Sequence, residues 1–175
     1  MVMTLLAPLL WLLAYFLAYW FAIYAFVWIQ TLSGRTNETH PQTDARGKAL
    51  VLVPSHHEGD GLVDTVRTLI DQDYGDEIEV QVLVEDFTDS TVSALTAAYP
   101  STEVDAGALI QLATGVATRT VHIVAVGHRA KHIKLNHALG RADCDFVALL
   151  DADHRARLDW IRNGIGVLEG TSADG

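Results

Sequence analysis

The chain has 175 residues, 12 Lys and Arg against 22 Asp and Glu, a formal charge of −10 and one cysteine, Cys144. That length holds one domain plus an anchor rather than two independent cores, and a single cysteine excludes an internal disulfide framework. The acidic balance argues against nucleic acid as a partner, because phosphate backbones are held chiefly by Lys and Arg, yet it admits a phosphorylated ligand bridged to carboxylates by a divalent cation.

From Thr4 to Ile29 no residue is charged, and Leu, Ala, Phe, Tyr and Trp dominate. A hydrocarbon core of about 30 Å needs about 20 apolar helical residues, so residues 1–32 are expected to form one transmembrane anchor. A cleaved signal peptide is the competing expectation. It lacks support, since there is no basic n-region, the apolar run is too long and no small-residue cleavage site follows. Trp11, Trp20 and Trp28 are spread along the segment, so only the outer two suit the membrane interfaces. Arg35, Arg46 and Lys48 follow the span and no Lys or Arg precedes it, which places the carboxyl-terminal domain in the cytoplasm by the positive-inside rule.

Residues 33–48, with Gly34, Asn37, Pro41 and Asp44, form a polar linker, and residues 49–175 form the remaining domain. Ala49 to Val53 is a continuous apolar run stopped by Pro54, as in a buried strand. Leu62, Val63, Val66, Leu69 and Ile70 recur at helical spacing and predict a helix over 60–73. A second strand is expected over 78–84, then a helix over 89–98 capped by Thr88. Between Pro100 and Thr118 the spacing of Leu109, Leu112, Ala113 and Val116 suggests another helix. A strand over 121–126, a helix around Leu135, Ala138, Leu139 and Ala142, a strand over 146–150 and a short helix over 159–168 complete the order. Strands alternating with helices predict an α/β fold with a mainly parallel sheet covered on both faces.

In open α/β sheets ligands bind beyond the carboxyl ends of the strands. Three of the four predicted strand ends lead into acid: Ser55-His56-His57-Glu58, Glu85-Asp86 and Asp151-Ala152-Asp153. Turns favour Asp on their own account, but three carboxylate groups on one edge repel each other unless a cation or a donor-rich ligand joins them. If the chain stays extended at Asp151-Ala152-Asp153, both carboxylates face one side and suit Mg2+ or Mn2+, which take oxygen ligands. An ordinary Asp-rich turn closing a strand remains the plainer alternative. A phosphatase nucleophile is disfavoured, because that chemistry usually places Asp-x-Asp on the first strand with Thr or Val following, whereas His154 and Arg155 follow here.

The run Gly127-His128-Arg129-Ala130-Lys131-His132 opens a helix with positive side chains, which oppose the macrodipole and so are not explained by local stability. With free backbone N–H groups such a run suits a diphosphate, while a solvated basic turn is the bland alternative. His56, His57, His122, His132, His137 and His154 show no recognised ligand spacing, so no dedicated zinc site is expected; His154 stands beside the carboxylate pair. His122 is expected to alternate out of its strand. Neither a Gly-x-Gly-x-x-Gly after the first strand nor a Gly-Lys-Ser/Thr loop is present.

Taken in order, these segments resemble the family-2 glycosyltransferases. Val51 to Glu58 is similar to the family's opening strand, Pro and Asn-Glu, with His57 for Asn. Asp71-Gln72-Asp73-Tyr74 resembles the close of its first helix, and Val84 to Thr91 resembles Asp-Asp-Gly-Ser-Thr-Asp, one residue shorter and with Glu85 for the first Asp. Lys131, Leu135 and Asn136 match Lys-x-x-x-Leu-Asn, and Leu150 to His154 matches the metal motif. Five such segments in family order over about residues 50–153 are far more specific than any one alone.

The resemblance implies a GT-A fold, a nucleoside-diphosphate sugar donor (UDP- or GDP-linked) and inversion at the transferred sugar. It implies that Asp86 contacts the base and that Pro54, Glu58 and Glu85 line the nucleotide pocket. Lys131 would approach the diphosphate, and Asp151 and Asp153 would hold Mg2+ or Mn2+ against it. The acceptor would be a membrane-proximal glycan or lipid, as in polysaccharide biosynthesis. In the family the catalytic base and a Gln-x-x-Arg-Trp acceptor motif come well after the metal motif, so the base is expected beyond Gly175 and the chain matches the amino-terminal part only. A short form that holds nucleotide or assembles with a partner without transferring sugar is the alternative.

Overall fold

The computed structural model describes residues 2–33, 46–104 and 109–172. The expected linker falls mostly on residues 34–45, outside the described residues, as does Arg35. The chain divides into two units, residues 1–39 and 40–175.

The described residues of the first unit form one helix, α1 (Val2–Ser33). Thirty-two residues rise about 48 Å, more than the apolar thickness of a bilayer. Residues Trp11–Ile29 are long and apolar enough to cross a membrane. Almost all side chains in this stretch are exposed, with Phe16 edge-on to Trp20 and Trp20 tilted against Tyr24, each pair one helical turn apart at a ring separation of 6.1 Å. Trp11 and Trp28 lie at its two ends and are 77% and 67% exposed.

The second unit follows the order β1 (Ala49–Pro54), α2 (Gly61–Ile70), β2 (Ile78–Val84), α3 (Ser90–Ala98), β3 (Ser101–Val104), β4 (Leu109–Leu112), β5 (Arg119–Ala125), α4 (Lys131–Leu139), β6 (Phe146–Leu149) and α5 (Trp160–Ser172). The six strands form one sheet in the order β3-β4-β5-β2-β1-β6. β5, β2, β1 and β6 run parallel; β4 pairs antiparallel with β5, and β3 antiparallel with β4.

The central strand β1 is apolar on both faces, as a strand with helices on each side must be, whereas β2 carries partly buried Glu79 and Gln81 on one face. Val51, Val53, Val80, Val82 and Val84 point into the larger core, where they meet Leu62, Val66 and Leu69 of α2, Leu95 of α3 and Ile161 and Ile165 of α5. The alternate residues Leu50, Leu52 and Leu83 point the other way, onto Ala138 of α4. Right-handed crossovers explain the split. β1 to β2 steps one way along the sheet, whereas β5 to β6 passes back over β2 and β1, so α4 lands on the opposite face. The direction of winding therefore reverses at β1, which is where a crevice opens in sheets of this kind.

Two local expectations are overturned. The described residues of 100–118 form no helix: β3 and β4 pair antiparallel. In β4, Ile110 and Leu112 are buried and Gln111 is exposed, a period of two that the helical spacing of Leu109, Leu112, Ala113 and Val116 masked. The edge of β5 needs backbone partners, and β4 provides them with the register Leu109↔Val124 to Leu112↔Val121. Thr88 does not cap α3 either. Asp89 is the cap, accepting a bond from the Thr91 N–H at 2.9 Å, because Thr88 is drawn back onto Asp86.

Candidate functional site

Because β1, β2, β5 and β6 are parallel, their carboxyl ends share one rim of the sheet. The acidic strand ends and the basic loop singled out above all leave from that rim. Pro54, half-buried, ends β1 and pairs with Leu83; Ser55 to Glu58 follow it. Glu85 and Asp86 follow β2, the basic loop and Lys131 follow β5, and Asp151 and Asp153 follow β6. Glu58, Asp86, Lys131, Asp151 and Asp153 are exposed, and Glu85 is partly buried.

Each loop is held by bonds that the strands alone do not provide. After β1, the Ser55 hydroxyl bonds Thr91 Oγ1 at 2.9 Å, the Glu58 N–H donates to Thr91 Oγ1 at 3.1 Å, and the His57 N–H donates to both Asp89 oxygens at 3.0 and 3.1 Å. The amino end of α3 therefore grips the β1 loop. After β2, Asp86 accepts the Thr88 hydroxyl and the Thr88 N–H, the latter at 2.8 Å. These bonds, the hydroxyl first, favour the ionised form and hold the Asp86 carboxyl below the usual range. The Asp89 carboxyl is also lowered: burial pushes it up, but the Thr91 and His57 donors prevail.

The basic loop turns at Gly127, whose φ of +73° suits glycine, and whose N–H donates to the Glu85 carbonyl at 2.8 Å. Lys131 then opens α4 and pairs with Asp151, and that hydrogen bond and charge lower the Asp151 carboxyl. One turn on, Lys134 is 1% exposed and donates from Nζ to the Ser55 carbonyl at 2.6 Å. Burial pulls its ammonium below the ordinary lysine range. Lys134 was not singled out from the sequence; its place on the inward face of a helix of modest amphipathicity gave no clear signal.

Residues 151–154 do not stay extended. The His154 N–H donates to the Asp151 carbonyl at 3.0 Å, which closes a turn. Ala152 is turned inward, 6% exposed, and its carbonyl accepts the Thr65 hydroxyl at 2.8 Å. With Ala152 tied down, Asp151 and Asp153 both face solvent. His154 Nδ1 lies 2.8 Å from Asp153 Oδ1, and Arg155 reaches back to Asp64 at 2.6 Å. Among the described residues no hydrogen bond joins Glu58 or Asp86 to either aspartate. The structure thus gathers these carboxylates on one rim and pairs Asp151 with Lys131 and Asp153 with His154.

Two exposed carboxylates of hard oxygen donors beside a cationic loop suit Mg2+ or Mn2+. Among the described residues, however, the side chains of three metal-ligand types that already converge are His56, His57 and Asp89, with donor atoms within 4.8 Å of one another. Sequence spacing concealed this group, since Asp89 lies 32 residues after His57. Two cavities lie away from the rim. One of about 150 Å³ is lined by apolar residues of β6 and α5, including Phe146, Trp160 and Ile165. The other, of about 180 Å³, is polar and lies near the amino ends of β2 and β5, around Lys48, Glu79 and His122.

A mainly parallel sheet with helices on both faces, an antiparallel strand pair at one edge and acidic loops at the carboxyl rim is the GT-A arrangement. The family model for glycosyl transferase family 2 matches residues 50–175, and the chain belongs to that family. Among solved structures, the mannosyltransferase PcManGT from Pyrobaculum calidifontis, in complex with GDP-Man and Mn2+, has a TM-score of 0.59 at 23% identity, covering 86% of this chain. The chain spans 41% of that protein's length. S. aureus TarS 1-349 is more distant, with a TM-score of 0.44 at 21% identity over 72% of this chain and 31% of its own. No curated protein gives a significant match.

Proposed function

We propose that this chain carries the donor half of an inverting glycosyltransferase that takes sugar from a UDP- or GDP-linked donor. The observation that carries the proposal is the rim itself: loops after four parallel strands bring Glu58, Glu85, Asp86, Lys131 and the Asp151–Asp153 turn to one edge in a family-2 chain. PcManGT, the fold relative, holds GDP-Man and Mn2+, which supports a nucleoside diphosphate and a divalent cation here.

In this role Asp86, ionised and fixed by Thr88, accepts hydrogen bonds from the base. Pro54, Glu58 and Glu85 line the nucleotide pocket, and the grip of Thr91 on the Glu58 N–H sets its position. Asp151 and Asp153 hold Mg2+ or Mn2+, which when bound offsets the charge of the departing diphosphate. Lys131 exchanges its present partner Asp151 for a diphosphate oxygen. The base that activates the acceptor hydroxyl is not assigned to any of these side chains. The acceptor is proposed to be a membrane-proximal glycan or lipid, with α1 in the bilayer and the second unit on the cytoplasmic side, next to Arg46 and Lys48.

The test is a titration of UDP- and GDP-sugars against the full chain with and without Mn2+, repeated with Asp153→Ala. Metal-dependent binding that the substitution abolishes is expected; equal binding by the variant removes the aspartate pair from the site.

A further inference from the structure

His56, His57 and Asp89 lie under the rim, where the β1 loop meets the amino end of α3, and the proposed donor site does not use them as ligands. We propose that these three side chains form a second metal site, for a borderline transition ion of the Zn2+ or Co2+ type rather than Mg2+ or Mn2+. The proposal does not depend on the donor role of the rim. Two imidazoles and one carboxylate are a donor set that such ions favour, whereas Mg2+ and Mn2+ prefer oxygen alone.

Four observations converge on it. The three donor atoms lie within 4.8 Å of one another without any ion. His57 Nδ1 is 3.6 Å from Asp89 Oδ1, too long for a hydrogen bond yet near the separation of about 3.3 Å between two ligands of a tetrahedral ion with bonds of about 2.0–2.1 Å. His56 Nδ1 is buried with no hydrogen-bond partner, a state that buried polar atoms rarely keep. His57 holds a left-handed backbone, φ +56°, which is uncommon for a residue with a Cβ and is stabilised by the two bonds from its N–H to Asp89.

The neighbouring ring geometry permits closure. The two imidazole centroids are 4.6 Å apart and tilted by 55°, so the rings are not stacked face to face and their edges can turn toward one ion. Asp89 is 2% exposed in its side chain and accepts three bonds from two backbone N–H groups, the His57 N–H reaching both oxygens and the Thr91 N–H one. A carboxylate offers about four acceptor positions, so one remains for a metal. The competing bond from the Ser90 N–H to His57 Nδ1 is long, 3.5 Å, and leaves that lone pair directed at α3. A bound ion would tie the β1 loop to α3 just before Glu58.

Co2+ alone is the probe. The full chain, in detergent, is titrated with Co2+ and followed by visible absorption, which reports tetrahedral coordination; Zn2+ is then added in competition. One equivalent of Co2+ is expected, displaced by Zn2+, with affinity reduced more than about 100-fold by His56→Ala and by His57→Ala. Asp89→Asn tests the carboxylate while keeping an α3 cap, and circular dichroism establishes that each variant is folded. Asp153→Ala is expected to leave the cobalt band unchanged, even where it abolishes Mn2+-dependent nucleotide binding. No tetrahedral band in the wild type, a band indifferent to both histidine substitutions, or one lost only with Asp153→Ala would each overturn the proposal.

Discussion

The two ends of the sheet use their polar side chains in opposite ways. At the amino end, charges close on each other. Glu79 accepts from Lys48 at 2.7 Å and from Gln81 at 2.7 Å, with His122 Nδ1 3.5 Å away, and its carboxyl is lowered to about 2, the His122 bond being the largest cause. Arg119, 8% exposed, gives its guanidinium to the carbonyls of Asp76, Gln72 and Tyr74 at 2.6–3.0 Å. At the carboxyl rim, backbone groups are tied down by Thr91, Asp89 and Thr65, while Glu58, Asp86, Asp151 and Asp153 stay exposed. One end spends its polar groups on the fold; the other holds its loops with a few buried side chains and keeps its carboxylates at the surface.

Substitutions should separate the two ends, and the largest effect is expected at Arg119. Arg119→Leu strands several buried carbonyls and should lower stability by roughly 3–4 kcal/mol. Urea denaturation of the wild type and variant measures it, and a loss under about 1 kcal/mol would show that water replaces the guanidinium there.

Next comes pH. Glu79 has a folded pKa of about 2 against an ordinary 4.5, so its stabilisation is fully present above about pH 4.5 and is lost as pH falls toward 2. That contribution is on the order of 2–3 kcal/mol, and Glu79→Gln should flatten the fall in denaturation midpoint across this window. Parallel acid profiles for wild type and variant would break the link between Glu79 and that end's stability.

A smaller effect is expected under the rim. Thr91→Val keeps shape but removes the bonds to Ser55 and Glu58, costing about 1–2 kcal/mol and weakening nucleotide binding by loosening the β1 loop. Calorimetry at matched pH would register both changes; lost stability with unchanged affinity would detach that loop from binding. The smallest stability effect belongs to Asp153→Ala, since the side chain is exposed and its neighbour Ala152 carries the anchoring bond. Its denaturation midpoint should match the wild type while nucleotide affinity collapses. A large midpoint shift instead would make the turn a structural element.

Much of the fold was legible because the signals are local. The apolar run of β1, the alternation at the start of β2, the helical spacing of α2 and the uncharged stretch of α1 each state their environment within a few residues. The antiparallel pair of β3 and β4 was not legible, since Leu109 to Val116 satisfies a helical period as well as a strand's, and only the open edge of β5 decides between them. The expected extended Asp151–Asp153 run became a turn for a similar reason: the hydroxyl that draws Ala152 inward comes from Thr65, on α2.

By itself the sequence determined the class of fold, the membrane-length helix, and the acidic residues that follow the strands, because hydrophobic period and strand endings are properties of neighbours along the chain. Tertiary structure alone decided that Lys131 meets Asp151, that Lys134 is buried against Ser55, and that His56 and His57 meet Asp89. Those contacts join residues that parallel strand pairing brings to one rim, and no spacing along the chain encodes such distances.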